Sequence, residues 1–331
     1  MQNDAKIVKL SPNSEAPHAA PVPLIRLQGV CKQYGALSAL QGVNLTVARG
    51  EVVGFLGPNG AGKTTTMSIL AGLLAPTEGV VQVAGVDMLR HPQQAKPHIG
   101  FLPEQPPLYK EMTVQAYLSH LARLRGVAAR QCREAVSQVM AQCGLNPVAG
   151  RVLGHLSKGY QQRAGIAQAL VHRPEVVILD EPTSGLDPLQ IQEICLLIRS
   201  LGQQHAVLLS THILSEVRMT CDRVVLIHQG KIQLDTSMAD LEQHLQAPQV
   251  VQVSLANDPG QAVLAALPGV AHVEACAGGW RITPQQDADP VPALLAAAVA
   301  QHWGLRQLQP QQAPLESLFT ALAQTDQEEL R

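Results

Sequence analysis

The chain has 331 residues, 46% of them hydrophobic, which suits one large domain or a large and a small one and excludes a disordered protein. Lys and Arg number 24 against 26 Asp and Glu, a formal net charge of -2, so there is no global basic field for a nucleic-acid backbone and none is expected as a partner. The longest apolar run, Val291 to Ala300, falls short of the roughly 18 to 20 residues that span a bilayer, so the chain is not expected to cross a membrane alone. Cys31, Cys132, Cys143, Cys195, Cys221 and Cys276 are scattered without a CxxC pair and read as reduced structural thiols.

Residues 1–23 are polar and rich in Pro, Ala and Ser, with no apolar core of the secretory kind. They read as a disordered leader on a cytoplasmic protein. From Leu24 strand-like runs begin, Leu24 to Leu27 and Val43 to Val47, each closed by Gly or polar turn residues. Glu51 to Leu56 is a third strand, running into a glycine-rich loop and a helical stretch, Lys63 to Leu74. Met112 to Gly126 and Arg130 to Cys143 carry apolar residues at helical spacing, an all-helical insert. Strands resume at Val176 to Leu179, Ala206 to Ser210 and Arg223 to His228, each separated by a helix-length segment, which predicts a mostly parallel sheet with crossover helices. After Ile232 to Leu234 the chain turns polar, and a boundary is expected near residue 240. The remainder reads as strand Val250 to Leu255, helix Pro259 to Leu267, two strands within Val270 to Thr283, helix Val291 to Trp303, strand Leu305 to Leu308 and a closing helix Leu315 to Gln324. That order is the split βαβ of ferredoxin-like domains, a small α+β unit.

Gly57-Pro58-Asn59-Gly60-Ala61-Gly62-Lys63-Thr64 fits GxxxxGK[ST], between the strand and the helix that a phosphate-binding loop requires. Its glycines let backbone N–H groups turn inward around a phosphate, and the helix start at Lys63 to Thr65 adds its positive end. Lys63 is expected to reach the β- and γ-phosphates, and the Thr64 hydroxyl to hold Mg²⁺. Val176 to Leu179 is an apolar strand that ends in Asp180 and Glu181. A strand buried on both faces leaves charge only where it emerges, so Asp180 is expected to support Mg²⁺ and Glu181 to polarise the attacking water.

Leu156-Ser157-Lys158-Gly159-Tyr160-Gln161-Gln162-Arg163 precedes the carboxylate strand and Ser184-Gly185-Leu186-Asp187 follows it. With the phosphate loop, this order resembles an ATP-binding-cassette (ABC) ATPase over Leu24 to about Leu234. The resemblance implies a P-loop ABC nucleotide-binding domain at 24–240, with a helical subdomain at about 104–172, and leaves 241–331 as the C-terminal domain. It implies that Tyr34 stacks on adenine, that Ser157 and Gly159 meet the γ-phosphate held by an opposite subunit, and that Asp187 lies in the loop crossing the dimer. It also implies that His212, after Ser210-Thr211, contacts the γ-phosphate. Two positions depart from the family: LSKGY stands where LSGGQ is common, and Glu104 stands where the Q-loop glutamine is expected, with Gln105 one beyond.

LPEQPPLY, LSKGY, EPTSGLDPLQ, STHILSEV and CDRVVLI are similar to the cassettes of bacterial ABC-2-type exporters, in particular the gliding-motility-type subgroup. The resemblance implies a head-to-tail dimer, with itself or a homologous cassette, closing on two ATP with Mg²⁺. It implies a separate ABC-2-type permease, docked near Pro106 to Tyr109, and a peripheral place on the inner face of the cell membrane. The alternative is a soluble ABC ATPase acting on a nucleic-acid or ribosomal target. Against it, the chain has one cassette, no very long coiled coil between its nucleotide motifs, and no zinc cysteine pairs.

Overall fold

The computed structural model describes residues 23–241, 250–276, 278–285 and 288–311. The polar leader falls almost wholly outside these residues, and the closing helix expected at Leu315 to Gln324 lies outside them entirely.

The first two strands are longer than the apolar runs suggest and do not join the parallel sheet. β1 (Ile25–Tyr34) and β2 (Leu37–Val47) form an antiparallel hairpin, because the two residues between them are too few for a crossover. β1 carries register shifts between Leu27 and Gln33, and these irregularities hide its second half from a period-two pattern. β4 (Glu78–Val83) pairs on its other side, followed by β5 (Val86–Asp87), giving a four-stranded sheet in the order β2-β1-β4-β5. The single mostly parallel sheet expected from the sequence is therefore two sheets.

The second sheet has six strands in the order β10-β9-β3-β8-β7-β6. β3 (Val52–Leu56), β6 (Ile99–Leu102), β7 (Val176–Asp180), β8 (Ala206–Thr211) and β9 (Arg223–His228) run parallel. β10 (Lys231–Ser237) returns antiparallel through Gln229 and Gly230, both with positive φ, the backbone of a tight hairpin turn. Alternate residues of the central strands enter opposite cores. Val52, Leu56, Val177, Leu179, Val207 and Leu209 face the helical insert, while Val53, Phe55, Val176, Ile178, Ala206 and Leu208 face the N-terminal sheet and the first helix. Such a sheet tolerates charge only at its ends.

α1 (Lys63–Leu70) stops four residues before the expected Leu74, since Gly72 at φ 66° ends it in a left-handed turn. A short α2 (Pro92–Ala95) leads to β6. The insert comprises α3 (Val114–Leu124), α4 (Ala129–Gln142) and α5 (Lys158–Leu170). Tyr117 of α3, fully buried, donates its hydroxyl to Gln168 Oε1 of α5. α6 (Pro188–Leu201) and α7 (Leu214–Thr220) link β7 to β8 and β8 to β9.

The C-terminal unit contains β11 (Val250–Leu255), α8 (Gln261–Ala265), β12 (Val270–Cys276), β13 (Gly279–Pro284), α9 (Val291–Ala300) and β14 (Leu305–Gln311). Its helices are shorter than expected, as Pro268-Gly269 and Gly304 cut the patterns that run to Leu267 and Trp303. The antiparallel order is β12-β13-β11-β14, with a core of its own around Val251, Val253, Leu264, Ile282, Leu294 and Trp303.

Gly100 in β6 packs against the carbonyl of Ala169 in α5 so closely that a Cβ would collide with backbone. Gly100→Ala is expected to destabilise the chain by about 1–3 kcal/mol, read as a lower denaturant midpoint at unchanged slope.

Candidate active site

β3 delivers its chain end into the loop Gly57 to Gly62, and the loop into α1. Gly62 has φ 108°, and a Cβ there would lie 2.8 Å from the Ala39 carbonyl, so the turn requires glycine for both conformation and space. Lys63 is buried, and its ammonium donates to the carbonyls of Gly57 at 2.8 Å and Pro58 at 3.2 Å while lying 3.4 Å from Glu181 Oε1.

β7 brings two carboxylates to the same edge. Asp180 is 2% exposed and accepts from the Ser210 hydroxyl at 2.5 Å and the Thr64 hydroxyl at 3.5 Å. Burial pushes its carboxyl above the ordinary value of 3.8; the hydroxyls of Ser210 and Thr64 oppose the rise, and the Glu181 charge adds to it. Glu181 sits at φ 46°, a left-handed conformation unusual outside glycine, and its N–H donates to both Ser210 oxygens. This turn swings its carboxylate out of the strand to a point between Lys63 and His212, whose Nδ1 lies 2.9 Å from Glu181 Oε2.

These groups border a cleft of about 450 Å³. Of the residues singled out in the sequence, Tyr34, Asn59, Gly60, Gly62, Lys63, Thr64, Thr65, Glu104, Glu181 and His212 line it. Gly57, Pro58 and Ala61 form the loop behind, and Asp180 lies below, bonded to Thr64. Gln105 does not line the cleft, so between the two Q-loop candidates only Glu104 is at its wall. Tyr34, half exposed, stands at the rim with the Lys32 ammonium 5.2 Å from its ring centre. Leu37 and Ala39, not singled out in the sequence, also line the cleft, as does Ser184, quoted there only within the SGLD motif. Ser210 was quoted in the sequence only beside His212; its parallel register with Asp180 gives it a part in holding that carboxylate.

Ser157, Gly159 and Asp187 are not in this cleft. Ser157 caps α5, accepting from Tyr160 N at 3.4 Å, and Asp187 caps α6, accepting from Gln190 N at 2.9 Å. Ser157 and Gly159 line a separate pocket of about 220 Å³ with Tyr160, Arg163 and Gln190. The Lys158 side chain lies against Gly185, joining the signature to the SGLD loop.

The chain matches the ABC transporter family over residues 40–184. YxlF of Bacillus subtilis (strain 168), an uncharacterized ABC transporter ATP-binding protein, is 39% identical over 223 residues, 67% of this chain and 74% of that one. The chain belongs to the ABC transporter ATP-binding proteins. The linearmycin resistance ATP-binding protein LnrL of the same organism is 30% identical over 305 residues, 90% of this chain and 98% of that one. Among solved structures, the cassette MJ0796, a dimer in a post-hydrolysis state bound to ADP and Pi, is similar with a TM-score of 0.58 at 25% identity, over 65% of this chain and 98% of that one. Members of the family bind ATP and hydrolyse it, and this chain is an ATPase of that family.

The site fits these substrates chemically. A glycine loop, a helix start and an ammonium form a phosphate cradle. Among the described residues no cluster of three His, Cys, Asp or Glu could hold a metal unaided. Thr64, Asp180 and Glu104 offer only oxygen, the donor set of a hard divalent ion that nucleotide phosphates and water complete.

Because burial raises the Asp180 pKa, the folded state binds this proton more tightly than the unfolded state does. Stability is therefore lost as pH rises from about 4 through the raised value, and the cost is fully present only above that value. Asp180→Asn is expected to raise the melting temperature of the nucleotide-free protein at pH 7, with a smaller gain toward pH 4.

Proposed function

We propose that this chain is the nucleotide-binding subunit of a bacterial ABC-2-type exporter of the gliding-motility-type subgroup, driving a separate membrane permease from the inner face of the cell membrane. In this reading residues 24–240 are the cassette, with its helical subdomain at about 104–172, and 241–331 form a ferredoxin-like C-terminal domain. The family match over 90% of the chain to a protein named for linearmycin resistance supports an exporter and supports the C-terminal region as a regular part of such chains. No helix among the described residues is long and apolar enough to cross a membrane, which fits a subunit that relies on a separate permease.

The observation that carries the mechanism is the separation of the two half-sites. The phosphate loop lines one cleft and the signature lines another, which supports a site completed by two chains head to tail. The similar cassette that is dimeric with ADP and Pi bound supports a nucleotide-bound dimer. In each composite site Tyr34 stacks on adenine and backbone N–H groups from Gly57 to Thr65 hold the phosphates. Lys63 exchanges its carbonyl partners for β- and γ-oxygens. Ser157 and Gly159 of the opposite chain close on the γ-phosphate, and Asp187 lies at the seam. Thr64, Asp180 and Glu104 would hold Mg²⁺, which would supply positive charge to the phosphate oxygens. Glu181 accepts a proton from the attacking water, and His212 positions that carboxylate and meets the γ-phosphate. Loss of phosphate lets the chains part, and the motion passes to the permease through the segment near Pro106 to Tyr109.

Glu181→Gln keeps the shape and removes the base. Steady-state turnover is expected to fall by about 10²–10⁴-fold with ATP binding retained, and turnover near wild type would remove Glu181 from the role. Tagged protein drawn from detergent-solubilised membranes is expected to bring down a multi-spanning membrane protein in near-equal amount; recovery from the soluble fraction alone would favour the non-transport reading.

A further inference from the structure

His212 is half exposed, so its direction depends on its bond to Glu181 and on the backbone on either side of it. Thr211, before it, is fully buried at the end of β8, and Ile213, after it, caps the N-terminus of α7. Isoleucine has no oxygen with which to satisfy the first amides of a helix. The Thr211 hydroxyl instead accepts from the N–H of Ile213 itself at 3.0 Å and donates to Glu216 Oε2 at 2.7 Å. In an ordinary capping box the acidic side chain three residues into the helix bonds the capping residue's N–H directly. Here the bond is relayed through a hydroxyl on the far side of His212, so the two residues flanking it are tied to one another.

Glu216 is only 2% exposed, beside Cys195 and Cys221, whose thiols are pushed up by burial first and also by this carboxylate. Its second oxygen, Oε1, has no hydrogen-bond partner among the described residues. Burying a carboxylate with half its acceptors unused is unfavourable. The Thr211 hydroxyl could hold the Ile213 N–H without Glu216; what Glu216 adds is a fixed rotamer for that hydroxyl.

We propose that Glu216 is a positioning residue for ATP hydrolysis, holding the turn that presents His212 to Glu181 through the Thr211 hydroxyl. The inference rests on the role given above to Glu181 and His212, and it adds a residue buried outside the cleft.

The test is steady-state ATP hydrolysis by the full chain. Glu216→Ala is expected to lower kcat about tenfold with KM for ATP within about twofold of wild type. Glu216→Gln, whose amide oxygen still accepts from Thr211, is expected to stay within about threefold of wild type. Thr211→Val, close to isosteric, removes the relay without opening a cavity and reproduces the loss, deciding the matter even where Glu216→Ala does not fold. Because the relay acts through His212, adding Glu216→Ala to His212→Ala is expected to slow the enzyme no further. Unchanged kcat in Glu216→Ala and Thr211→Val, or a loss that multiplies with His212→Ala, overturns the relay alone. Wild-type turnover in His212→Ala overturns the reading of the site itself and the relay with it.

Discussion

The burial of β3, β7 and β8 on both faces is the constraint from which the rest of the cassette follows. Two cores take alternate residues of the same strands, and a charge along their length would have neither water nor a partner. Ionic groups are therefore confined to the end where the strands emerge. Lys63, Asp180, Glu181 and His212 gather there because each follows or closes one of those strands. The cost is visible in the structure: Asp180 titrates high because it is buried, and Glu181 holds a left-handed backbone. Both strains belong to a site in which charge is to be met by charge brought from outside.

The same confinement separates the phosphate loop from the signature within the chain. The parallel edge carries the phosphate loop and the carboxylates, while the helical insert carries Ser157 at the start of α5. Within the chain these faces form separate pockets, and the groups of the signature satisfy one another through helix caps. Lys158, one departure from the common signature, lies against Gly185, so the cation that replaces a glycine brings the signature and the SGLD loop together.

Much of this was legible in the sequence because it is local. GPNGAGKT between a strand and a helix specifies its own turn, and Val176 to Leu179 announces a buried strand by its lack of polar residues. Other features depend on partners distant in sequence. β1 and β2 read as short strands since their bulges break the alternation, and only the pairing of β1 with β4 shows a second sheet. α1, α8 and α9 were each overextended because the apolar pattern continues into the turn that ends the helix. Ser210 gained its part from the parallel register with Asp180, and Leu37 and Ala39 line the cleft because the hairpin folds over the phosphate loop. The order of elements in the C-terminal unit followed from strand and helix alternation, including the separation of β11 from β12 by β13 that a split βαβ entails.

Sedimentation of Glu181→Gln at saturating ATP and Mg²⁺ addresses the central claim, that two chains close head to tail on nucleotide. The account predicts a dimer that holds two nucleotides and reverts to monomer when Ser157→Arg is added, since the opposite signature can no longer reach the γ-phosphate. A species that stays monomeric with ATP bound, or a dimer indifferent to Ser157→Arg, would contradict it.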